Sequence, residues 1–158
     1  MASDPREFMA EALRLAVENT VSGEGGPFGA VVVRDGEIIA RGVNLVTGSN
    51  DPTAHAEIVA IREACRVVGS FQLTDCELYA SCEPCPMCLG AIYWARPSRV
   101  YFAASREDAS AAGFDDSFIY DEMPLAPADR TLPCIQLSGA DSQAPFSAWQ
   151  RNVDRTKY

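Results

Sequence analysis

Two short motifs, each at the start of a predicted helix, constrain this chain more than any other feature. One, His-Ala-Glu from His55, lies at the beginning of a helix predicted over Ala54–Val68. The other, Pro-Cys-Pro-Met-Cys with Cys85 and Cys88, opens a helix predicted over Pro86–Ala95. Residues three apart lie on one face of a helix, so both thiols can point at one metal ion. The dipole and free N–H groups of a helix N-terminus also favour thiolates over thiols.

The first motif supplies what such a metal site needs for catalysis. His55 can provide a third ligand beside Cys85 and Cys88, and two thiolates with one imidazole leave a tetrahedral position open, as in catalytic zinc sites. Zinc lowers the pKa of a bound water toward ~7, but another group must collect and deliver protons. Glu57 stands two residues after the histidine and can act as base and then as acid. We therefore expect one Zn²⁺ per subunit, with Glu57 as proton carrier. Histidine-x-glutamate followed by Pro-Cys-x-x-Cys is a described signature of zinc deaminases.

Other roles for these residues remain open. Cys82 could complete a closed, purely structural zinc site, although such a site has no use for Glu57. His55 could be a hydrogen-bonded core residue, but it is the only histidine in the chain and it begins the motif. Glu57 could also be a solvated residue on the helix surface.

Composition and charge indicate which class of ligand the chain binds and in which cellular compartment it works. The formal net charge is −9 and Lys157 is the only lysine, so the chain lacks the basic character typical of proteins that bind tRNA or DNA. We expect a small neutral ligand and no nucleic acid partner. No apolar run approaches the ~18 residues of a membrane span, and the N-terminus has no secretory signal pattern. A cytoplasmic protein with no membrane contact is the expectation, and its six cysteines fit a metal site and core positions better than disulfides.

Hydrophobic patterning predicts one α/β domain over residues 1–158. Two β-rich runs flank Asp35-Gly36, which is a strong hairpin signal, and strands alternate with helices thereafter. The predicted strands are residues 28–34, 37–43, 77–80, 99–103 and 131–137. Further helices are predicted over Pro5–Val21 and residues 144–157, while residues 105–130 have no assignment. The expected architecture is a three-layer α/β/α sandwich around a mixed five-stranded sheet.

Four blocks of sequence resemble the guanine deaminases of bacteria, a family of the cytidine deaminase-like superfamily. The blocks are Gly25–Ala30, Ser49–Glu57, Ser81–Ala95 and Ala112–Tyr120, and the likeness extends to Tyr158. The first three blocks are shared in part with tRNA adenosine deaminases and cytosine deaminases. The fourth block and the aromatic C-terminus are typical of the guanine enzymes. The resemblance implies zinc-dependent hydrolysis of guanine to xanthine and ammonia.

The resemblance also implies a purine-binding pocket and a homodimer. Asp116 would face the exocyclic amine or N1–H and serve as a second proton carrier, and Tyr158 would close the site. The C-terminal helix, about residues 144–157, would be exchanged between the subunits. The residues that the resemblance assigns to substrate binding are Phe28, Asn44, Ala56, Trp94, Asp116 and Tyr158.

Each of these assignments has a structural alternative. Phe28 and Trp94 could be core aromatics, Asp116 could cap a helix that begins at Ser117, and Tyr158 could fray. Asp115 could also exchange roles with Asp116. The substrate could instead be guanosine, cytosine or tRNA adenosine, or the chain could be a non-catalytic zinc scaffold.

Overall fold

The computed structural model describes residues 4–137, 139 and 141–158, in two units, of which the first ends at Tyr120 and the second runs from Asp121 to Tyr158. Each element predicted before residue 105 is confirmed to within two residues at either end. In chain order the elements are α1 (Pro5–Ser22), β1 (Gly29–Arg34), β2 (Glu37–Val43), α2 (Val46–Ser49), α3 (Ala56–Val68), β3 (Cys76–Cys82), α4 (Pro86–Ala95), β4 (Arg99–Ala104), α5 (Arg106–Ala111), α6 (Ser117–Glu122) and α7 (Ala144–Arg151).

A mixed sheet with strand order β2-β1-β3-β4 organises the first unit. β1 pairs antiparallel with β2 and β3, while β3 pairs parallel with β4. Asp35 and Gly36 both have positive φ (52° and 77°), as a two-residue turn that matches the strand twist requires. This confirms the predicted hairpin.

Helices cover both faces of the sheet, which confirms the three-layer α/β/α arrangement. On one face, Phe8 of α1 packs against Val31, Val33 and Tyr79, with its ring 5.3 Å from that of Tyr79. On the other face, α3 and α4 pack through short side chains onto alternate residues of the same strands; the buried members contributed by these two helices are Ala56, Ala60, Ala64, Ile92 and Ala95. Because both faces are covered, β1 is buried along almost its whole length.

The sheet of the described residues has four strands, so the predicted fifth strand over residues 131–137 is wrong. Pro133 has no N–H to give to a ladder. The donors beside it are used locally, since Thr131 N–H donates to Glu122 Oε2 (2.7 Å) and Cys134 N–H to the carbonyl of Pro127 (2.9 Å). The prediction of a strand there was wrong because it depended on β-rich composition alone.

The second unit contains a 3₁₀ turn at Pro127–Asp129 and the helix α7. The predicted helix over 144–157 is confirmed only as far as Arg151. Arg155 Nη1 donates to the carbonyl oxygens of Gln150 (3.0 Å) and Asn152 (2.9 Å), so a side chain satisfies groups at the helix end and the chain leaves the helix there. None of the described helices combines the length and apolar character that crossing a membrane requires.

Candidate active site

The candidate site lies at the edge of the sheet where β1 begins and the other three strands end. Gly29 opposes Val43 at this edge, and Cys82 opposes Ala104. The chain segments that leave or enter these strands therefore meet at one place. They carry Phe28 before β1, and the residues that follow β2, β3 and β4.

The start of α3 is brought close to this edge by a glycine. A β-carbon at Gly42 of β2 would lie 2.2 Å from the carbonyl oxygen of Ala56, far inside van der Waals contact, so only glycine lets helix and strand approach this closely. Upstream, Asp51 Oδ1 accepts hydrogen bonds from Thr53 N–H (2.8 Å) and Thr53 Oγ1 (2.7 Å). This turn orders the entry to α3 and sets His55 at its N-cap position.

The start of α4 follows β3 after a three-residue connection. Glu83 N–H donates to the carbonyl of Ala104 at 2.8 Å, which extends the pairing of β3 and β4 past the last strand residue. Cys85 is the N-cap of α4 and Pro86 its first residue, where a missing N–H costs nothing. Cys88 then lies one turn into the helix, on the same face as Cys85.

His55, Cys85 and Cys88 are the group of three potential metal ligands found among the described residues. The Nδ1 atom of His55 lies 3.5 Å from the sulfur of Cys85 and 3.5 Å from that of Cys88. Zinc bonds of ~2.3 Å to sulfur and ~2.0–2.1 Å to nitrogen, at tetrahedral angles, place N and S about 3.5 Å apart. The donor set and its spacing therefore fit a zinc ion.

The pKa values of the three ligand side chains are shifted in different directions by their mutual contacts. A hydrogen bond from Cys88 and the neighbouring imidazole of His55 lower the pKa of Cys85 to about 4, against the effect of burial. The hydrogen bond with Cys85 raises the pKa of His55. The same thiol–thiolate bond and burial raise the pKa of Cys88. The site thus favours a thiolate at Cys85, and a zinc ion bound here would displace the protons that Cys88 and His55 hold more tightly than usual.

Glu57 lies beside the cluster without belonging to it. Its carboxyl Oε2 accepts from Cys88 Sγ at 3.5 Å, and the residue is 8% exposed. Burial raises its pKa, so the side chain holds a proton more readily than an exposed glutamate does. A carboxyl group at this position can take a proton from a water at the metal and release it to a bound ligand.

Cys82, the alternative fourth ligand, lies outside the cluster. Its thiol donates to the carbonyl of Ser105 at 3.6 Å, and burial raises its pKa to about 11. Because the Cys82 sulfur is directed at that carbonyl and lies outside the group of clustered ligand atoms, it does not close the coordination sphere, and an open position remains for a reacting group.

A cavity of about 660 Å³ opens in front of the cluster, within the first unit. It is large enough for a purine base and combines apolar walls with a few polar groups, as small-molecule sites do. The site residues that line it are Phe28, Asn44, His55, Glu57, Cys85 and Asp116.

Phe28 and Asn44 form one side of this cavity. The ring of Phe28 meets that of Phe114 edge-on, with centroids 5.0 Å apart. Asn44 is 8% exposed, and its Oδ1 accepts from the N–H groups of Gly26 and Val46, each at 3.2 Å. These two donors orient the amide, so its NH₂ group is the end left to donate to a ligand.

The two aspartates before α6 have different surroundings. Asp115 is exposed, and its Oδ1 accepts from Ser117 N–H at 2.9 Å, which lowers its pKa. The cap considered for Asp116 is therefore made by Asp115. Asp116 is half-buried in the cavity lining, and burial raises its pKa. This difference suits Asp116 rather than Asp115 to a proton-carrying role.

Three predicted substrate contacts are not part of the described cavity lining. Ala56 is fully buried in the core under α3. Trp94 is 63% exposed, because α4 turns Cys88, Ile92 and Ala95 inward and so directs Trp94 outward. Tyr158 lies in the second unit, with its ring 6.3 Å from that of Trp149. Their proposed roles stay predictions.

Sequence reasoning also missed residues that the structure brings to the cavity. Phe114 lies in the fourth block of resemblance but had no assigned role, and the aromatic pair with Phe28 depends on tertiary packing. Glu83 and Arg106 line the cavity too, linked by a hydrogen bond from Arg106 N–H to Glu83 Oε2 (3.0 Å). Glu83 had one sequence signal, its place directly before the Pro-Cys-Pro-Met-Cys motif and within the third block of resemblance.

Comparison with known proteins adds four findings. A family model described as the cytidine and deoxycytidylate deaminase zinc-binding region matches residues 2–104. The guanine deaminase of Bacillus subtilis (strain 168) is 57% identical over 151 residues, covering 96% of this chain and 97% of that protein. Its X-ray structure matches with a TM-score of 0.96 at 55% identity, covering 98% and 99% of the two chains. The tRNA-specific adenosine deaminase of Aquifex aeolicus (strain VF5) is 46% identical over 97 residues, 61% of this chain and 64% of that protein.

Proposed function

The chain belongs to the cytidine and deoxycytidylate deaminase family, and from that premise we propose that it deaminates guanine hydrolytically to xanthine and ammonia. The observation that carries the proposal is the position of a buried carboxyl, that of Glu57. It lies beside the three residues that could ligate zinc, at the wall of a cavity large enough for a purine. Likeness to a guanine deaminase over nearly the whole chain favours this substrate, since the likeness to the tRNA enzyme covers less than two thirds of it.

His55, Cys85 and Cys88 would hold the zinc ion. When bound, zinc supplies a water that is acidic enough to react near neutral pH. Glu57 takes one proton from the attacking water while the water oxygen bonds to C2 of guanine. Glu57 then delivers that proton to N3. The hydroxyl proton then moves through Glu57 or Asp116 to the amine. The bond between C2 and the exocyclic nitrogen breaks, ammonia leaves, and the new oxygen on C2 becomes the carbonyl oxygen of xanthine.

Recognition follows from the groups around the cavity. Phe28 offers an aromatic face for stacking on a flat purine. Asn44 would donate its NH₂ group to the edge of the base. Guanine carries N–H donors at N1 and on the 2-amino group, which suit the carboxylate of Asp116 as acceptor.

We further propose a homodimer in which the C-terminal helix is exchanged and Trp94 and Tyr158 complete the closure of the cavity. Large apolar side chains on the outer surface support an association; in the first unit they include Leu89, Tyr93, Trp94 and Phe102, and in the second Leu132, Ile135, Leu137, Phe146 and Val153. Apolar side chains of this size that lie together on a surface commonly mark a protein–protein contact. Free cysteines and a thiolate metal site favour the reducing cytoplasm as its compartment.

Sedimentation velocity tests the dimer directly. We expect a species of twice the 17.1 kDa chain mass at micromolar concentration. Replacing Tyr93 by glutamate, which sets charge on the exposed face of α4, should shift the protein toward the monomer. Arg62→Glu, an exposed charge change on α3, is the matched control and should remain a dimer. A wild-type protein that sediments as a fully active monomer would contradict this proposal.

The substrate is tested with the zinc-loaded protein on a panel of guanine, guanosine, adenine and cytosine, measuring ammonia release and the ultraviolet change. We expect xanthine from guanine and at least tenfold slower release from the other three, about 1.4 kcal/mol of discrimination. Faster turnover of guanosine or cytosine would keep the role of Glu57 but overturn the assigned substrate. If none of the four compounds releases ammonia, tRNA is tested next. Release from tRNA adenosine would identify the rival deaminase activity, and release from no substrate would support a zinc scaffold.

A further inference from the structure

Asn19 is a buried polar residue of α1 for which the chemistry above has no role. It is 4% exposed and ends a buried stripe whose other members, Phe8, Ala12 and Ala16, are apolar. A polar side chain in such a position is unfavourable unless its groups are hydrogen-bonded. Its bonds therefore indicate what the residue holds in place.

The Asn19 side chain bridges two segments that border the cavity. Its Nδ2 donates to the carbonyl oxygens of Gly26 and Asn44, both at 2.8 Å. Gly26 N–H in turn donates to Asn44 Oδ1 at 3.2 Å. Asn19, Gly26 and Asn44 thus form a closed hydrogen-bonded triangle that links α1, the glycine loop before β1 and the end of β2.

This triangle leaves the Asn44 backbone little freedom. Asn44 N–H donates to the carbonyl of Phe28 at 3.1 Å, so both of its backbone polar groups are bonded. A β-carbon at Gly25 would lie 2.0 Å from the Asn44 carbonyl oxygen, which shows how closely the glycine loop packs there. The same loop supplies the Gly26 N–H that orients the Asn44 amide.

We propose that Asn19 is a positioning residue for substrate recognition, acting through Asn44. By holding both the Asn44 carbonyl and the Gly26 loop, it keeps the Asn44 NH₂ group directed into the cavity before the base arrives. Such preorganisation lowers the cost of binding rather than the barrier of the chemical step. The inference rests on the proposed function, which assigns Asn44 to the purine edge.

Steady-state kinetics of Asn19→Ala and Asn19→Asp on guanine tests the inference. Both variants lose the two donated bonds, and Asn19→Asp also sets a carboxylate against two carbonyl oxygens. We expect KM to rise about tenfold with kcat changed less than about threefold, the pattern of binding that is lost equally from the ground state and the transition state. Zinc content stays at one per chain. Phe8→Leu, which loosens α1 at its other end against Tyr79, is the control for lost stability and should not change KM.

A double-mutant cycle with Asn44→Ala separates positioning from general destabilisation. If Asn19 acts through Asn44, adding Asn19→Ala to Asn44→Ala changes KM less than about twofold. Additive effects, or a Phe8→Leu protein with the same rise in KM, would overturn the inference. The cycle is run with the base that the wild type deaminates, so a failure of the guanine assignment appears in the wild type alone.

A readout that needs no substrate completes the test. The side-chain amide resonances of Asn44, identified by their loss in Asn44→Ala, should shift or broaden in Asn19→Ala and stay unchanged in Phe8→Leu. Unchanged resonances in Asn19→Ala would overturn the inference whatever the enzyme acts on.

Discussion

Replacing Glu57 by glutamine is expected to lower kcat for guanine by at least about 10³-fold and to leave one zinc ion per chain. General acid–base catalysis contributes about 10²–10⁴-fold. Glu57 carries the proton of the water to the ring and can also carry the second proton to the leaving amine, so its loss should fall in the upper part of that range. Glutamine keeps the shape of the side chain but cannot accept and return a proton. The three metal ligands are untouched, and KM should change little.

The same substitution should not destabilise the protein. Glu57 is buried and its raised pKa reflects the cost of charge in that position, so a neutral amide removes an unfavourable ionisation. We expect Tm to stay equal or to rise. A stable, zinc-loaded and inactive protein would separate the chemical role of Glu57 from any structural one.

Glu63→Gln is the matched control, because Glu63 lies on the exposed side of the same helix and pairs with Arg66. It should leave kcat unchanged. Asp116→Asn should give a smaller loss than Glu57→Gln, about 10- to 100-fold, since Asp116 takes part only in the second transfer, which Glu57 can also perform. A Glu57→Gln enzyme with more than a tenth of wild-type kcat would rule out Glu57 as the proton carrier.

Local signals explain why the three metal ligands could be predicted from sequence. His55, Cys85 and Cys88 each sit at a helix start that is marked by nearby residues, Asp51 and Thr53 before α3 and Pro86 in α4. The hairpin around Asp35-Gly36 is equally local. Features that depend on residues close in sequence can be predicted without knowledge of tertiary contacts. The helix starts and the hairpin are features of this kind.

The errors and omissions depend on contacts that sequence patterns do not carry. The fifth strand failed because Glu122 and Pro127 take the N–H groups of Thr131 and Cys134. α7 ended early because the Arg155 side chain reaches back to its last carbonyl groups. Neither set of hydrogen-bond partners can be predicted from secondary-structure propensity.

The short elements after residue 104 received no predicted bounds for a related reason, although a helix start at Ser117 was considered. α5 and α6 have six residues each, too few for a hydrophobic period to be visible. α5 instead depends on a capping box in which Ser105 and Asp108 satisfy each other's N–H groups. Asn19 was missed although a polar residue at the end of an apolar stripe is a readable sign of a buried hydrogen-bonded group.

Replacing Cys88 by serine should remove both activity and a large part of the stability. Cys88 is fully buried, and a serine hydroxyl is a neutral donor that does not replace a thiolate on zinc. We expect less than a tenth of a zinc ion per chain after gel filtration and no measurable xanthine. Because metal binding to the folded state adds to the free energy of unfolding, wild type should exceed the variant by about 3 kcal/mol at free zinc ~100-fold above its Kd.

A chelator distinguishes this effect from damage to the core. If the stability difference comes from zinc, chelation should lower the Tm of the wild type to that of Cys88→Ser, and added zinc should restore only the wild type. Cys134→Ser, which changes an exposed thiol, and Cys82→Ser, at the thiol bonded to the Ser105 carbonyl, should both keep one zinc per chain. Loss of zinc from Cys82→Ser would revive the closed four-ligand site and leave no open position for Glu57 to serve.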